Sequence, residues 1–599
     1  MSKLGQRAKN YWTKPVLTSA VILVIIYLAS VVLKYFVLRG SQEPTFLGDE
    51  MVYKVNAHLM FKGLGGLNMH YPPVYSAMLM PSFLFSNFFT VMKLINVAAS
   101  STVIFPIFWI ARRWLDRNKC YLLCVLSLLL PSHWIYPQYI SSENLLLPLI
   151  ILSVYFVSKP LAGKKWQVYL LFAWYGLLAA IMFLTRYQAI GAMAAIGIYL
   201  ILKLFWFERQ RTKAMFHVVE RLVLLAIYGV VAIAAILAFV FLYPGVLQSF
   251  KDEMLFFVTR TPEASTGGGA PFAQWAVWYI GYMLLGMAPF VLPLVLNIKE
   301  YIADAIKAKY NGLLVLSFLI SGAIGFIVVR HSDKAYYNQN TSLYMLGRYI
   351  TYLVIILLIN GFIVMFRNIG KTPKPRNVLA SLIISVFLLL FSFFSLYGSI
   401  GSPARKIPFV TDSIVTADIA HFTLQNPEMI YFAVAITVGI AMAILLAGKK
   451  AAMAITSLLL VYGLVTVFPV FNERIVPNSG IGFSQTFFEQ IDNRDRDVTM
   501  VNGTGSSVVR IQSIVDFWKI DGGKILVADP LETGYAVLDE ADYLLINTPL
   551  YEGDKGRLFL YTLPLDEGRL SEAGAAWLSE ARGETEVPET AGAGVPAAT

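Results

Sequence analysis

Two adjacent carboxylates, Asp49 and Glu50, follow the first long apolar run and lead into a short amphipathic segment, Met51 to Leu64. Asn68-Met69-His70-Tyr71-Pro72-Pro73 then returns the chain to apolar sequence. Acids at the foot of an apolar run, on a connection too short to be a domain, point to a site at a membrane–water boundary. Adjacent residues diverge on a helix and face opposite sides of a strand, so these two do not share a proton. The expectation is that one faces a reacting centre while the other anchors the loop. A carboxylate at a half-wet site can serve as general base toward a hydroxyl nucleophile.

A second acid, Glu143, lies in Tyr139-Ile140-Ser141-Ser142-Glu143-Asn144, a polar tip that enters an apolar stretch. Two readings stay open for it. It is either an acid favoured by a helix N-terminus with Ser142 as cap, or a member of the same outer cavity as Asp49. Arg186 and Arg348 each stand at the end of an apolar run, where a guanidinium either snorkels to headgroups or faces a cavity. An Arg fork suits bidentate recognition of phosphate. His70, Tyr71, His331, Tyr349, Lys54 and Lys334 are secondary candidates, whereas His133 and His421 read as interfacial residues.

The elements that must position these residues are membrane spans. Of the 599 residues 57% are hydrophobic and only 14% charged, against about 25% charged in soluble proteins. Apolar runs near twenty residues long recur to about position 470, and a bilayer admits such runs as helices. The net charge of +11 does not indicate nucleic-acid binding, because Lys and Arg cluster in short connections between runs, where they set orientation. The N-terminus carries Lys3, Arg7, Lys9 and Lys14 before a run from Pro15 to Leu38, read as a retained anchor with its basic end in the cytoplasm.

Alternation of basic connections gives about thirteen spans and an outward C-terminal region. Expected spans include Thr90 to Ala111, Cys120 to Gln138, Asn144 to Val157, and a block from Trp166 to Phe207 broken at Thr185-Arg186-Tyr187-Gln188. Val218 to Tyr243, Trp275 to Asn297 and Gly312 to Val329 follow, then a polar loop from Arg330 to Gly347. Arg348-Tyr349 opens the next span, and three more lie near 378–398, 429–447 and 451–471. The fold class is therefore an α-helical polytopic membrane protein over 1–471. A small extracytoplasmic α/β domain is expected over 472–570, with strands at Asp497–Asn502, Lys524–Ala528, Tyr543–Asn547 and Leu558–Leu563. Residues 571–599, rich in Ala, Gly and Glu, read as a disordered tail. Cys120 and Cys124 are ordinary packing residues, with no metal set or disulfide framework around them.

The Asp-Glu pair in the first outer loop, the Pro-Pro re-entry, the Ser-Glu tip, the Thr-Arg tip and the late Gly-Arg-Tyr together resemble the GT-C membrane glycosyltransferases. The likeness is greatest to the protein O-mannosyltransferase and aminoarabinose lipid A transferase branch. That resemblance covers most of residues 1–570. It implies transfer of a sugar from a polyprenyl-phosphate carrier to an acceptor outside the cytoplasm, with Asp49 as catalytic acid and the arginines on the donor phosphate. The chain departs from the aminoarabinose branch at Val52 and Tyr71, where that branch has Arg and Lys, and it lacks the Trp-Trp-Asp motif of oligosaccharyltransferases.

The implied partners are a polyprenyl-phosphate-linked sugar, a glycan, lipid or protein acceptor, and membrane lipids, with no nucleic acid. No obligatory metal or other cofactor is expected, though a divalent cation held with Glu143 is compatible with the acids. The implied location is the plasma membrane. Competing readings are a transporter or lipid flippase, which would place charge near the bilayer midplane and show internal repeats, and a ligase using diphosphate-linked glycans.

Overall fold

Runs of apolar residues in a bilayer can satisfy their backbone only from within, and the computed structural model is accordingly mostly helical. It describes 14–38, most of 47–252, 272–286, 312–339, 349 and 351–368. In the C-terminal region it describes strands at 498–501, 525–528 and 543–546, and most of 549–583, with a few isolated positions elsewhere. The chain divides into two compact units, Met1–Ser41 with Val52–Arg474, and Gln42–Met51 with Ile475–Thr599.

The first unit begins with α1 (Lys14–Leu38). Leu17, Val21, Ile25, Leu28, Val32 and Phe36 on α1 are exposed, as expected of a helix facing lipid. Its inner side is polar in places: Tyr27 donates to the Ala98 carbonyl, and Lys34 donates to Ser101 at 3.1 Å. Next come α2 (Leu47–Lys62), which crosses from the second unit into the first, and α3 (Pro73–Leu79), started by Pro73 at a position where no N–H is needed. The helices α4 (Phe88–Ser101) and α5 (Ile104–Ala111) together form one apolar length, Phe88–Ala111. Asp116 caps α6 (Arg117–Leu128) through the Lys119 N–H.

The expected single span from Cys120 to Gln138 is instead a bent pair. The segment Ser132–Gln138, which holds α7 (Ser132–Ile135), turns 70° from α6. Pro131 between them cannot continue the ladder of hydrogen bonds. Then follow α8 (Glu143–Ser158), α9 (Lys165–Thr185), α10 (Ile190–Leu202), α11 (Val218–Leu242), α12 (Phe272–Gly286), α13 (Leu313–Gln339) and α14 (Thr351–Asn368). The break between α9 and α10 falls at Arg186, as the sequence predicts. The polar loop expected from Arg330 is not one at its start. Helix α13 continues to Gln339, because nothing from Arg330 to Gln339 is Gly or Pro and the polar turns cost the helix little.

Six described helices are long and apolar enough to cross a membrane, or seven if the bent pair counts as one span, and the chain is an integral membrane protein. The spans expected at 378–398, 429–447 and 451–471 lie outside the described residues, as does Arg348. The core sits on α8 and α14. Ile151 and Val154 on the first and Val354, Ile355, Leu358 and Phe362 on the second are buried. Cys120 and Cys124 belong to this core, as expected. Helix α11 is the opposite case, with little of its surface buried. It meets α9 where Gly176 lets backbones touch: a Cβ there would lie 2.4 Å from the Tyr228 carbonyl oxygen.

In the second unit β1 (Val498–Val501), β2 (Ile525–Ala528), β3 (Tyr543–Ile546) and β4 (Phe559–Thr562) form one sheet in that order. The first three run parallel, so crossovers must join them, and β4 is antiparallel to β3. The expected strands are thus found within a residue or two. Only the start of the expected tail 571–599 differs: α15 (Glu572–Ala581) is capped by Ser571 and buries Leu578 and Ala581 against Leu544 and Ile546, while 584–599 lie outside the described residues.

Candidate functional site

Helix α9 ends at Thr185, and Arg186 has extended backbone that turns the chain into α10. Its guanidinium reaches back to the start of α8. Nη1 lies 2.8 Å from Glu143 Oε1 and donates to Ser142 Oγ at 3.1 Å, while Nε donates to Gln188 Oε1 at 3.1 Å. The pair is deep, with Glu143 5% and Arg186 12% exposed. The Tyr349 ring completes the clasp, its centroid 4.6 Å from the guanidinium carbon. Burial alone would lower the Arg186 pKa. The Glu143 carboxylate, with the phenols of Tyr349, Tyr53 and Tyr352, more than reverses this, so its pKa is raised and it stays cationic.

Glu143 is thus neither solvated nor simply a helix-end acid. Ser141 donates a short hydrogen bond to its other oxygen. Ser142 does not cap α8; its hydroxyl is taken by Arg186 and by Tyr53, whose phenol donates to it at 2.8 Å. Tyr53 comes from α2 and is the hub of an aromatic group, edge-on to Tyr71 at 5.0 Å and to Tyr75 at 4.6 Å. Tyr75 in turn donates to Asn96 Oδ1, and Asn96 donates to the Tyr139 carbonyl, which ties the α3, α4 and Ser-Glu segments together.

The loop before Pro72-Pro73 is fixed at both ends. Asn56 exchanges two 2.8 Å hydrogen bonds with the Asn68 backbone, and Tyr187 donates to the Met69 carbonyl. His70 is exposed and stacks edge-on with half-buried Tyr71. Lys54 is buried, its ammonium 6.0 Å from the Phe88 ring centroid. His331 packs edge-on to Tyr349. Glu143, Arg186, Tyr349, His331 and Tyr71 are therefore brought into one connected neighbourhood.

Asp49 and Glu50 occupy the first turn of α2, where the helix dipole favours negative charge. Glu50 is fully buried and Asp49 half-buried. The boundary between the two compact units falls just after them, at Met51–Val52. Ser142 was considered only as a helix cap, and Tyr53, Gln188, Tyr187 and Tyr352 are the residues that reasoning from sequence passed over. Gln188 was within reach of it, in the same break as Arg186. His133, expected at an interface, is instead buried. Among the described residues no three His, Cys, Asp or Glu side chains are grouped to hold a metal ion.

No protein-family model matches the sequence, and no curated protein matches it either. Solved structures do match. ArnT from Cupriavidus metallidurans bound to undecaprenyl phosphate is similar with a TM-score of 0.50 at 14% identity, over 90% of this chain and 97% of that one. The apo form of the same protein gives 0.48 at 14% identity, over 88% and 92%. The archaeal oligosaccharyltransferase AglB from Archaeoglobus fulgidus, in complex with an inhibitory peptide and a dolichol-phosphate, gives 0.36 at 10% identity, over 90% and 70%. The chain therefore shares its fold with ArnT, a GT-C glycosyltransferase.

Proposed function

We propose that the protein is a glycosyltransferase that takes a monosaccharide from a polyprenyl-phosphate carrier and passes it to a hydroxyl of a glycan, lipid or protein acceptor outside the cytoplasm. The observation that carries this reading is Arg186: a guanidinium sunk at a helix break, held by Glu143, Ser142 and Gln188 and faced by the Tyr349 ring. In a fold shared with a protein solved with undecaprenyl phosphate, such a cation is suited to a lipid phosphate.

The reaction is a single displacement. The acceptor oxygen attacks the anomeric carbon, the bond from that carbon to the phosphate oxygen breaks, and the acceptor proton passes to Asp49. Charge grows on the departing phosphate, where Arg186 opposes it. Attack from the face opposite the phosphate inverts the anomeric centre. Glu50 anchors the turn, and Tyr349, Tyr71, His331, His70 and Lys54 line the donor and acceptor approaches. The remaining expected spans complete a set of about thirteen with a cytoplasmic N-terminus, and the second unit is an outward α/β module.

Purified full-length protein incubated with a panel of polyprenyl-phosphate sugars is expected to release the free carrier phosphate and an acceptor one sugar heavier, read by mass spectrometry. Asp49→Asn is expected to fold and insert normally yet abolish transfer, and Arg186→Ala to lower kcat about a hundredfold or more. Near-normal turnover by Asp49→Asn would reject its role as base. Consumption of diphosphate-linked donors alone would reject the proposed donor class.

A further inference from the structure

Behind the Glu143–Arg186 pair lies a second polar feature that the transfer reaction does not use. A cavity of about 20 Å³ is bounded by Ser132 and His133 of α7, Glu143 and Asn144 of α8, and Thr351 and Tyr352 of α14. His133 is 2% exposed, Ser132 1% and Tyr352 4%. Both His133 ring nitrogens, the Ser132 hydroxyl and the Tyr352 hydroxyl have no hydrogen-bond partner among the described residues. Four polar atoms around one cavity, all withdrawn from lipid and bulk solvent, make a costly arrangement unless something bridges them.

Size and charge select what that is. The space fits about one water, and is too small for a sugar. The Glu143 carboxylate on its wall disfavours an anion. The donors and acceptors present, two hydroxyls and an imidazole with one N–H and one bare nitrogen, match a water that both donates and accepts.

We infer that this cavity is a water site, and that His133 is a positioning residue which, through that water, fixes the Glu143 carboxylate and hence the aim of Arg186. The site follows from the side chains alone. Its effect on transfer rests on the reading of Arg186 as the group that meets the donor phosphate.

The two parts are tested separately. A high-resolution structure of the full chain is expected to show ordered water within hydrogen-bonding distance of a His133 nitrogen, Ser132 Oγ and Tyr352 OH, and a dry cavity would overturn the site. In the transfer assay His133→Phe, which carries no polar atom into the cavity, is expected to lower kcat about tenfold, the scale of one hydrogen bond to a charged group. The KM for the donor should stay near that of wild type. His133→Gln, able to donate and accept, should restore most of the loss. Wild-type kcat in a folded His133→Phe protein, or equal loss in both variants, would overturn the positioning role. Should the water be seen while no polyprenyl-phosphate sugar is turned over, the water site stands and the proposed function falls.

Discussion

Arg186 and Glu143 show how much one buried pair can organise. Each is expensive to bury alone, so removing either should cost more than removing both. Glu143→Gln or Arg186→Met singly is expected to destabilise the protein by about 3 kcal/mol, and the double variant by clearly less than the sum. Denaturant unfolding in detergent measures this, and simple additivity would mean the two do not depend on each other. Arg186 was legible in the sequence because a cation between two long apolar runs has to sit at a break. Glu143 was legible as a Ser-Glu tip. Their direct pairing was not, since 42 positions and α9 separate them and any outer acid could have matched any outer Arg. Tyr53, and the role of Ser142 as its partner, were invisible for a plainer reason: hydroxyls are common, and nothing in their spacing marks one as a hub.

Helix α8 carries the acid at one end and is held by cations at the other. Arg113 donates to the Tyr155 carbonyl and to Ser158, and Lys203 donates to the carbonyls of Val157 and Lys159. Orphan carbonyls at a helix C-terminus want such donors, and the macrodipole favours them. Glu208 answers the charge of Lys203 from 3.7 Å and accepts from the Leu161 N–H. Lys203→Met should therefore lower stability by about 2–3 kcal/mol, measured as a shifted unfolding midpoint. The same midpoint in the variant would show that α8 does not rely on this end. Asp116, capping α6, is a milder case at the surface. Hydrogen bonds from the Lys119 side chain first, and its backbone N–H, hold the Asp116 carboxyl below the usual range. A depressed carboxylate contributes stability that is whole above its unfolded pKa of about 3.9 and fades as pH falls through the lower folded value. Asp116→Ala should cost about 1 kcal/mol at neutral pH and less at pH 3, while an unchanged gap between variant and wild type across that range would count against it.

At the scale of the molecule, the apolar helices through α11 were legible because hydropathy marks them directly. What failed were ends and bends. Arg330, His331 and Lys334 read as loop because they are polar, yet a helix can leave its apolar environment and carry on, as α13 does. Glu572 to Ala581 read as disordered by its small residues, although Ser571 as cap and Trp577-Leu578 as an apolar face were there to be seen. The 70° turn after α6 had only Pro131 to announce it.

The seam at Gly176 has a reach beyond the two helices it joins. The far end of α11, through Ile236, Phe239, Val240 and Tyr243, lies against Met69, Phe183 and Tyr187. Those are the neighbours of Arg186 and of the loop that Tyr187 tethers. A larger residue at Gly176 must push on the Tyr228 backbone, and α11 has little other packing to resist being levered outward. Gly176→Leu is thus expected to disturb Arg186 from a distance, giving a correctly inserted protein in which the Asn68 and His70 amides of the tethered loop, bonded to the Asn56 and Asn68 side chains, exchange their hydrogens faster than in wild type. A wedge placed in the greasy wall would be felt first at the polar mouth.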